Sequence, residues 1–215
     1  MKTILCYGDS NTWGWNPDTD GIRFGIGERW TGRLQSGLGA GYRVIEEGLS
    51  GRTTVFDDPV EGAYKNGYTY LLPCLHSHKP IDVVLLALGS NDLKARFQAS
   101  PDRIAEGMGL LIDTVRKSGC GPSGGAPEIV LVVPPPIAAH TPFADMLAGA
   151  HEKYAQLPGC YRRLAEREGC RLVDLSVHLR AEGKDGVHLT REEHRIVCDL
   201  LLPEVRAAAS ERPSS

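Results

Sequence analysis

Five short apolar runs, separated by segments with helical patterns, constrain the fold of this chain more than any other feature. The runs lie at residues 2–7, 42–46, 81–88, 128–133 and 171–175, and their lengths are typical of β-strands. Helical patterns lie at residues 29–38, 68–76, 101–117, 159–168 and 191 to about 209. Strands that alternate with helices form parallel sheets with helices on both faces. The alternation therefore predicts an α/β fold, a flavodoxin-like three-layer α/β/α sandwich with a five-stranded parallel sheet.

Two of the predicted helices have clear start signals. Ser100 precedes Pro101, and serine is a good N-cap whereas proline suits the first helical turn. Thr190 is a candidate N-cap for the last helix, and Glu192 and Glu193 would place negative charge in its first turn, where the helix dipole favours it. We therefore expect these helices to begin at residues 101 and 191.

A chain of 215 residues is long enough for one substantial core but short for two large domains. We therefore expect one domain over residues 1–215, with a frayed tail at residues 210–215. Its six cysteines are scattered without metal-type spacing, and several lie inside apolar runs. This usage favours a reduced, cytoplasmic setting.

Charge and hydropathy argue against two classes of partner. The formal net charge is −3 and no Lys/Arg-rich run is present, whereas nucleic-acid binding needs clustered positive charge. No apolar run approaches the ~20 residues needed to span a bilayer, and the first residues lack a signal-peptide pattern. We therefore expect a soluble protein that binds neither nucleic acid nor membranes.

The first predicted strand ends at a glycine that is followed by Asp9 and Ser10. Open α/β sheets carry their chemistry at the carboxyl ends of the strands, so a serine at this position is a candidate nucleophile. Asp, Ser and Asn are also common in turns and helix caps, and this stretch could have only that structural role. The loops after the other strands must decide between the two interpretations.

Three other loops at the same predicted edge carry residues that could assist a serine nucleophile. The second loop holds Gly48 and Gly51, which let a backbone N–H face a ligand. The third holds Asn91, whose amide can donate a hydrogen bond to developing negative charge. The fifth holds Asp185 and His188, and this spacing lets the carboxylate bind the imidazole and fix its tautomer. Each signal alone is weak, but their coincidence at one edge favours a catalytic site.

Together these blocks resemble those of the SGNH (GDSL-type) hydrolase family, whose fold is also flavodoxin-like. The matching blocks are GDSN at residues 8–11, the glycine loop that ends at Gly51, GSND at residues 89–92 and DGVH at residues 185–188. Their order and separations fit the family over nearly the whole chain. The stretches LCYGDS at residues 5–10, TWGW at 12–15, IEEGLSGRTT at 45–54 and VPPP at 133–136 are similar to the arylesterase branch. That branch includes bacterial enzymes that pass acyl groups to alcohols and to peroxide.

The resemblance implies a serine esterase in which Ser10 attacks an ester carbonyl, His188 takes its proton and Asp185 orients His188. Water or an alcohol then resolves the acyl-enzyme, so the expected partners are a small ester and one of these acceptors, with no cofactor. The backbone N–H groups of Ser10 and Gly51 and the side-chain amide of Asn91 would form the oxyanion hole.

Some neighbouring residues have two possible roles. Gly48 is the alternative donor in the second loop, and the preference for Gly51 rests on the resemblance. Asp9 and Asp92 suit anchoring of loops better than catalysis. Trp13 suits the core better than the pocket.

The substrate pocket is assigned to side chains on or beside the site loops. Trp15 and Phe143 are favoured because the related branch has aromatic residues there. Two positions depart from the resemblance: Asn11 replaces the usual Leu, and Glu46 stands where the wider family often has Asn. Because Asn11 lies next to the nucleophile, its departure concerns the polarity of the acyl pocket. The predicted pocket residues are Asn11, Trp15, Ser90, Lys94, Phe143, Leu147 and Val187.

The segment at residues 138–151 is long enough to be a lid or a subunit contact. In related enzymes such insertions build homo-oligomers, so the resemblance implies a homo-oligomer here. No metal site is predicted, because the remaining histidines offer no set of three at metal-ligand spacing and are expected in surface or capping roles. These histidines are His76, His78, His140, His151, His178 and His194.

Two alternatives within the family use the same four blocks with different pockets: a carbohydrate-deacetylating esterase, and a lysophospholipase or thioesterase. An alternative from another class is a non-catalytic flavodoxin-like binding protein, in which Ser10 only caps a helix. These alternatives differ in the shape of the pocket and in whether Ser10 is nucleophilic, and both are properties of the folded site.

Overall fold

A five-stranded parallel sheet forms the centre of the molecule. The computed structural model describes residues 1–19, 21–139 and 141–210. The strands are β1 (Lys2–Gly8), β2 (Tyr42–Gly48), β3 (Val83–Ala87), β4 (Glu128–Val133) and β5 (Arg171–Asp174). They are ordered β2-β1-β3-β4-β5, and each neighbouring pair is parallel. The predicted sheet is therefore confirmed.

The helices of the described residues are α1 (Ser10–Trp13), α2 (Trp30–Leu38), α3 (Gly67–His78), α4 (Pro101–Lys117), α5 (Ala150–Tyr154), α6 (Leu157–Glu168) and α7 (Arg191–Ser210). All five predicted helices are present. The sequence does not predict α1 and α5, because helices of four and five residues are too short to show a helical period.

Side-chain alternation along the strands divides the core into two parts. On β1, Leu5 and Tyr7 pack with side chains of α3, α4 and α6. Ile4 and Cys6 point to the other face and pack with side chains of α2 and α7. Because helices cover both faces, the central strands are apolar on both sides, and the sequence therefore shows continuous apolar runs. The predicted three-layer sandwich is confirmed.

The start signals of two helices act as expected. At α4, Ser100 Oγ accepts a hydrogen bond from the Arg103 N–H at 3.3 Å. At α7, Thr190 Oγ1 accepts from the Glu193 N–H at 3.2 Å, and Glu193 Oε2 accepts from the Thr190 N–H at 2.9 Å. This reciprocal pair is a capping box, which fixes the residue at which α7 begins.

Several predicted bounds differ from the structure by one or two residues, and two of these differences concern the site edge and the last helix. β2 runs on to Gly48, because each of its residues pairs with β1 up to the Gly8 and Gly48 partners. Ser210 belongs to α7 rather than to a frayed tail, and residues 211–215 lie outside the described residues. Within the described part of the chain, no helix combines the length and apolar character that crossing a membrane requires.

His194 is buried in α7, which corrects the expectation of a surface role but leaves the alternative of a capping role, and His140 lies outside the described residues. Its side chain is 0 % exposed, and its Nδ1 accepts a hydrogen bond from the Trp30 N–H at 3.2 Å. Its ring meets Phe24 edge-on. Burial, together with the positive charges of Arg33 and Arg29, lowers the pKa of His194 from 6.5 to about 3. The neutral imidazole therefore joins α7 to the start of α2.

Replacing His194 with asparagine should make the folded protein less sensitive to acid. The unfolded chain binds a proton here near pH 6.5, whereas the folded protein does so only near a pKa of about 3, so stability falls as the pH drops below 6.5. Between about pH 7.5 and about pH 5.5, this residue's contribution to the free energy of unfolding falls by about 1.4 kcal/mol. Asparagine offers an acceptor to the Trp30 N–H and does not titrate.

Urea denaturation at the two pH values measures this loss in the wild type, in His194→Asn and in His178→Asn. His178 is the matched control because its side chain is exposed to water in the folded protein. We expect a smaller loss in His194→Asn than in the other two proteins. Equal losses in all three would show that His194 is not the acid-sensitive group.

Candidate active site

The strand order creates a crevice between β1 and β3. The chain passes from β1 to β2 on one side and then returns to β3 on the other, so the connections diverge at this pair. Open α/β sheets bind ligands at the carboxyl ends of strands that diverge in this way. Ser10 follows β1 and Asn91 follows β3, so both predicted residues lie at this point.

Three side chains form a continuous chain of hydrogen bonds at the crevice. Ser10 Oγ lies 3.0 Å from His188 Nε2, and His188 Nδ1 lies 2.7 Å from Asp185 Oδ2. Ser10 is 6 % exposed and Asp185 is 8 % exposed. A serine hydroxyl and a base in contact, with the base held by a carboxylate, are the arrangement that nucleophilic catalysis requires.

Hydrogen bonds keep Asp185 ionised. Burial by itself would raise the pKa of this carboxyl, but hydrogen bonds from the His188 side chain and from the backbone N–H groups of His188 and Val187 hold it below its usual value. The two backbone bonds measure 2.9 Å and 3.0 Å. An ionised carboxylate at Nδ1 keeps the proton on that nitrogen and leaves Nε2 free to accept the proton of Ser10.

Ser10 begins α1, and Asp9 is the N-cap of this helix. Asp9 Oδ1 accepts a hydrogen bond from the Asn11 N–H at 3.0 Å. Burial raises the pKa of Asp9 to about 6, despite the opposing effects of this hydrogen bond and of the His188 charge. Asp9 thus has the anchoring role that the sequence predicts.

Two aromatic rings contact the imidazole of His188. Trp15 stacks on it, with the ring centroids 5.0 Å apart and 21° between the planes. Phe143 meets it edge-on, at 6.5 Å and 89°. Trp13, which is expected in the core, is only half-buried, and the Arg23 guanidinium lies over its ring. Trp15 and Phe143 therefore contact the imidazole of His188 as well as line the cavity.

A cavity of about 190 Å³ opens beside Ser10 and His188. All seven residues that the sequence assigns to the pocket line it: Asn11, Trp15, Ser90, Lys94, Phe143, Leu147 and Val187. Two of the predicted oxyanion donors, Gly51 and Asn91, line it as well. The structure thus brings every predicted site residue to one place.

Sequence reasoning missed four residues that line the same cavity: Ser50, Glu61, Ile137 and Met146. Ile137 directly follows the proline run, and Met146 is three residues beyond Phe143, so proximity to predicted site residues is a usable signal for both. Glu61 lies in a segment without a strand pattern or a catalytic motif. Nothing in the sequence around it indicates a place in the site.

Two residues of the cavity wall, Glu61 and Lys94, belong to a charged cluster that also contains Asp58 and Arg96. Lys94 Nζ lies 2.5 Å from Glu61 Oε1 and 3.7 Å from Asp58 Oδ2. Arg96 Nη2 lies 2.6 Å from Glu61 Oε1 and 2.7 Å from Asp58 Oδ2. Lys94, which is only 3 % exposed, is therefore a paired cation in the pocket wall.

The two glycines of the second loop have different surroundings. A Cβ on Gly48 would lie 2.2 Å from the backbone nitrogen of Trp13, so glycine here allows α1 to approach β2. Gly51 lines the cavity and has a φ of +81°, which favours glycine. Among the described residues, no acceptor contacts the backbone N–H of Gly51. These observations favour Gly51 over Gly48 as a donor to a ligand.

The loop after β3 is tied to the loop after β2. Asn91 Nδ2 donates to the Arg52 carbonyl oxygen at 3.2 Å and lies 3.4 Å from Asp9 Oδ2. The buried Asp92 carboxyl accepts from the Thr54 N–H at 3.0 Å and 3.1 Å and from the Thr54 hydroxyl. Burial raises the pKa of Asp92 to about 6. Asp92 therefore anchors these loops, as predicted.

Glu46 and Asn11, the two residues that depart from the resemblance, lie in different parts of the structure. Glu46 binds Arg29 and Thr31, on the α2 face of the sheet. Asn11 lines the cavity, and its carboxamide is hydrogen-bonded to the backbone on both sides of His188. Only the second departure touches the loop that carries the base.

One group of side chains in the described part of the chain has metal-ligand chemistry. Glu47, Cys74 and His78 each place one donor atom within 4.8 Å of the others. Glu47 Oε1 lies 2.8 Å from His78 Nε2, which already gives both groups a partner. Burial, together with the Glu47 charge, raises the pKa of Cys74 to about 12, so the thiol stays protonated. Hydrogen bonding within the group accounts for its arrangement.

Comparisons with known proteins agree with this geometry. The model of the GDSL-like lipase/acylhydrolase family matches residues 6–196. The native aryl esterase of M. smegmatis is 40% identical, with a TM-score of 0.90, over 97% of this chain and 100% of that one. Est24, a carbohydrate acetylesterase from Sinorhizobium meliloti, is 39% identical, with a TM-score of 0.91, over 96% of this chain and 99% of that one. A comparison with curated proteins gave no match.

Proposed function

The chain belongs to the GDSL-like lipase/acylhydrolase family and is an esterase, and we propose that it hydrolyses small carboxylic esters through an acyl-enzyme on Ser10. The observation that carries this mechanism is the chain of hydrogen bonds from Ser10 through His188 to Asp185. In a binding protein that used Ser10 only as a cap, nothing would require a base at 3.0 Å from its hydroxyl.

In the proposed reaction, Ser10 Oγ forms a bond to the ester carbonyl carbon while His188 Nε2 takes the hydroxyl proton. Collapse of the tetrahedral intermediate breaks the bond to the alcohol or phenol, which leaves with the proton from His188. Water then attacks the acyl-enzyme with His188 again as the base, and the carboxylic acid and free Ser10 are released. Asp185 stabilises the imidazolium formed in both halves. Every step uses groups of the chain and water.

We propose three donors for the oxyanion: the backbone N–H groups of Ser10 and Gly51 and the Asn91 side-chain amide. Ser10 is the first residue of α1, where backbone N–H groups have no helical partner. The Asn91 amide is oriented by its bond to the Arg52 carbonyl oxygen. Its contact with Asp9 is 3.4 Å long, which is weak for a hydrogen bond, so the second amide proton is available to an oxyanion.

The preferred substrates are aryl or acetyl esters with a short acyl group. The cavity has a volume of only about 190 Å³, and Ile137, Phe143, Met146 and Leu147 give it an apolar wall. A carbohydrate acetylesterase is the second candidate, because Est24 is as similar to this chain as the aryl esterase is. The same volume disfavours the long acyl chains of a lysophospholipase or thioesterase.

We also propose that the enzyme transfers the acyl group to an alcohol or to peroxide. This transfer requires that the acceptor reach the acyl-enzyme ahead of water, and a small cavity with a partly apolar wall favours this. A homo-oligomer and a cytoplasmic location are likewise proposals from the sequence. In the 138–151 segment, the large apolar side chains line the cavity of their own chain; they are Phe143, Met146 and Leu147. The mass of a single chain, measured by light scattering, would exclude the homo-oligomer.

Ser10→Ala should abolish both turnover and covalent labelling. A fluorophosphonate should add one phosphonyl group to Ser10 of the wild type at neutral pH, because His188 activates the hydroxyl. Phenyl acetate hydrolysis by the wild type should fall in proportion to the fraction of protein that is labelled. Intact mass and peptide mapping locate the adduct. Ser77→Ala is the matched control, since Ser77 is exposed on α3, and it should label and turn over normally. Labelling elsewhere, or hydrolysis by Ser10→Ala, would overturn the assignment of the nucleophile.

Asn91→Ala should lose most of kcat while the protein stays folded. Removal of one oxyanion donor typically lowers the rate about a hundredfold or more. KM for phenyl acetate should change little, because the oxyanion exists only in the transition state. Steady-state kinetics and circular dichroism give the two readouts, with Asn16→Ala as control at a half-buried turn position. Near-normal turnover by Asn91→Ala would show that Asn91 does not donate to the oxyanion.

Excess ethanol in buffered phenyl acetate separates transfer from hydrolysis. If the proposal holds, part of the acyl group should appear as ethyl acetate in proportion to ethanol, at the expense of acetic acid. Gas chromatography measures both products, and both should disappear in Ser10→Ala. Acetic acid alone at every ethanol concentration would restrict the enzyme to hydrolysis. A parallel assay with acetylated sugars tests the second candidate.

A further inference from the structure

The side chain next to the nucleophile holds the backbone that carries the base. Asn11 Oδ1 accepts a hydrogen bond from the Leu189 N–H at 2.9 Å, and Asn11 Nδ2 makes a longer, weaker hydrogen bond of 3.4 Å to the Val187 carbonyl oxygen. Val187 and Leu189 are the residues on either side of His188. One carboxamide therefore contacts the backbone both before and after the catalytic base.

These bonds matter because His188 lies outside regular secondary structure. Residues 183–189 form an irregular loop before α7, and the backbone of Val187, His188 and Leu189 is not paired in a sheet or a helix. Leu189 is 2 % exposed, and a buried N–H without an acceptor is costly. Asn11 supplies that acceptor and a donor for the neighbouring carbonyl, and only one orientation of the amide satisfies both groups.

Asn11 is itself held rigidly. It is 6 % exposed and lies in α1, and its backbone N–H donates to the Asp9 carboxyl at 3.0 Å. Its carbonyl oxygen accepts a hydrogen bond from Trp30 Nε1 at 3.1 Å. Because Asn11 directly follows Ser10 on this helix, its carboxamide transmits the position of the nucleophile to the loop of the base.

The rest of the loop is attached to a different part of the chain. The Ala138 N–H donates to the Gly186 carbonyl oxygen at 2.8 Å, and Thr141 Oγ1 donates to the Asp185 carbonyl oxygen at 2.7 Å. These contacts fix the Asp185 end to the segment after β4. The Asn11 contacts fix the His188 end to α1, and this is the end that must meet Ser10.

We propose that Asn11 is a positioning residue for His188, which sets the distance between the base and Ser10 through the backbone of Val187 and Leu189. The proposal rests on the assignment of Ser10 and His188 under the proposed function. Leucine, which the resemblance places here, is of similar size but can neither donate nor accept. Aspartate keeps the acceptor for Leu189 and loses the donor for Val187.

The test compares Asn11→Leu and Asn11→Asp with the wild type, and uses Asn16→Asp as a matched control at an exposed hydrogen bond of the Trp15 loop. Asn11→Leu should lower kcat for phenyl acetate at least about tenfold, while KM stays within about twofold, because the cavity keeps its volume. Asn11→Asp should retain more activity than Asn11→Leu. Its added negative charge beside His188 should also shift the acid limb of the kcat/KM profile to higher pH. Asn16→Asp should match the wild type.

Fluorophosphonate labelling separates positioning from loss of folded protein. If Asn11 positions His188, the labelling of Asn11→Leu should reach the wild-type end point at a slower rate. A lower end point with an unchanged rate would mean that Asn11 is only structural, and unchanged kinetics in both variants would also overturn the proposal. Failure of the proposed function itself looks different, since Ser10→Ala would then remain active whatever Asn11 does.

Discussion

The hydrogen bond between Ser10 and His188 joins residues that are 178 positions apart, and the proposed chemistry depends on the fold bringing them together. No local segment can bring the two side chains together. The parallel sheet does so, because the end of β1 and the loop before α7 open on the same edge. Each partner is then fixed locally: Asp9 caps the helix that Ser10 begins, while the Thr190 and Glu193 capping box ends the loop of His188.

The close approach of α1 to the sheet is a second condition. Gly48 has no side chain at the point where a Cβ would meet the Trp13 backbone, so α1 can lie against the end of β2. This places the N-terminal end of a helix at the crevice, where unsatisfied N–H groups favour negative charge. Buried polar contacts then join the neighbouring loops, through Asp92 to Thr54 and through Arg52 to the Gly8 carbonyl oxygen. Apolar packing alone would leave these loops free to separate.

Much of this arrangement is predictable from the sequence, because strands, long helices and catalytic blocks leave local signals. The sheet, the long helices and most of the residues lining the cavity follow from such signals. The burial of His194 also has a signal: it shares the spacing of Val197, Cys198 and Leu201 along α7, which predicts a common buried face. Other features are not local. Glu61 enters the cavity wall through ion pairs with residues more than thirty positions away, and the partners of Asn11 are 176 and 178 positions away.

The charges around His188 explain why the carboxylate of Asp185 contacts the imidazole whereas that of Asp9 does not. The proposed transition state contains an imidazolium at His188 and an oxyanion near Asn91. Asp185 contacts the imidazole at 2.7 Å on the side away from Ser10, so it stabilises the cation without approaching the anion. Asp9 lies 3.4 Å from the Asn91 amide, where an ionised carboxylate attracts the cation but repels the oxyanion and competes for its donor. Burial raises the pKa of Asp9 to about 6, which limits that competition in weak acid, whereas Asp185 is kept ionised by three hydrogen bonds. The two carboxyls thus differ both in burial and in hydrogen bonding, and these differences suit Asp185 to support the base and Asp9 to cap the helix.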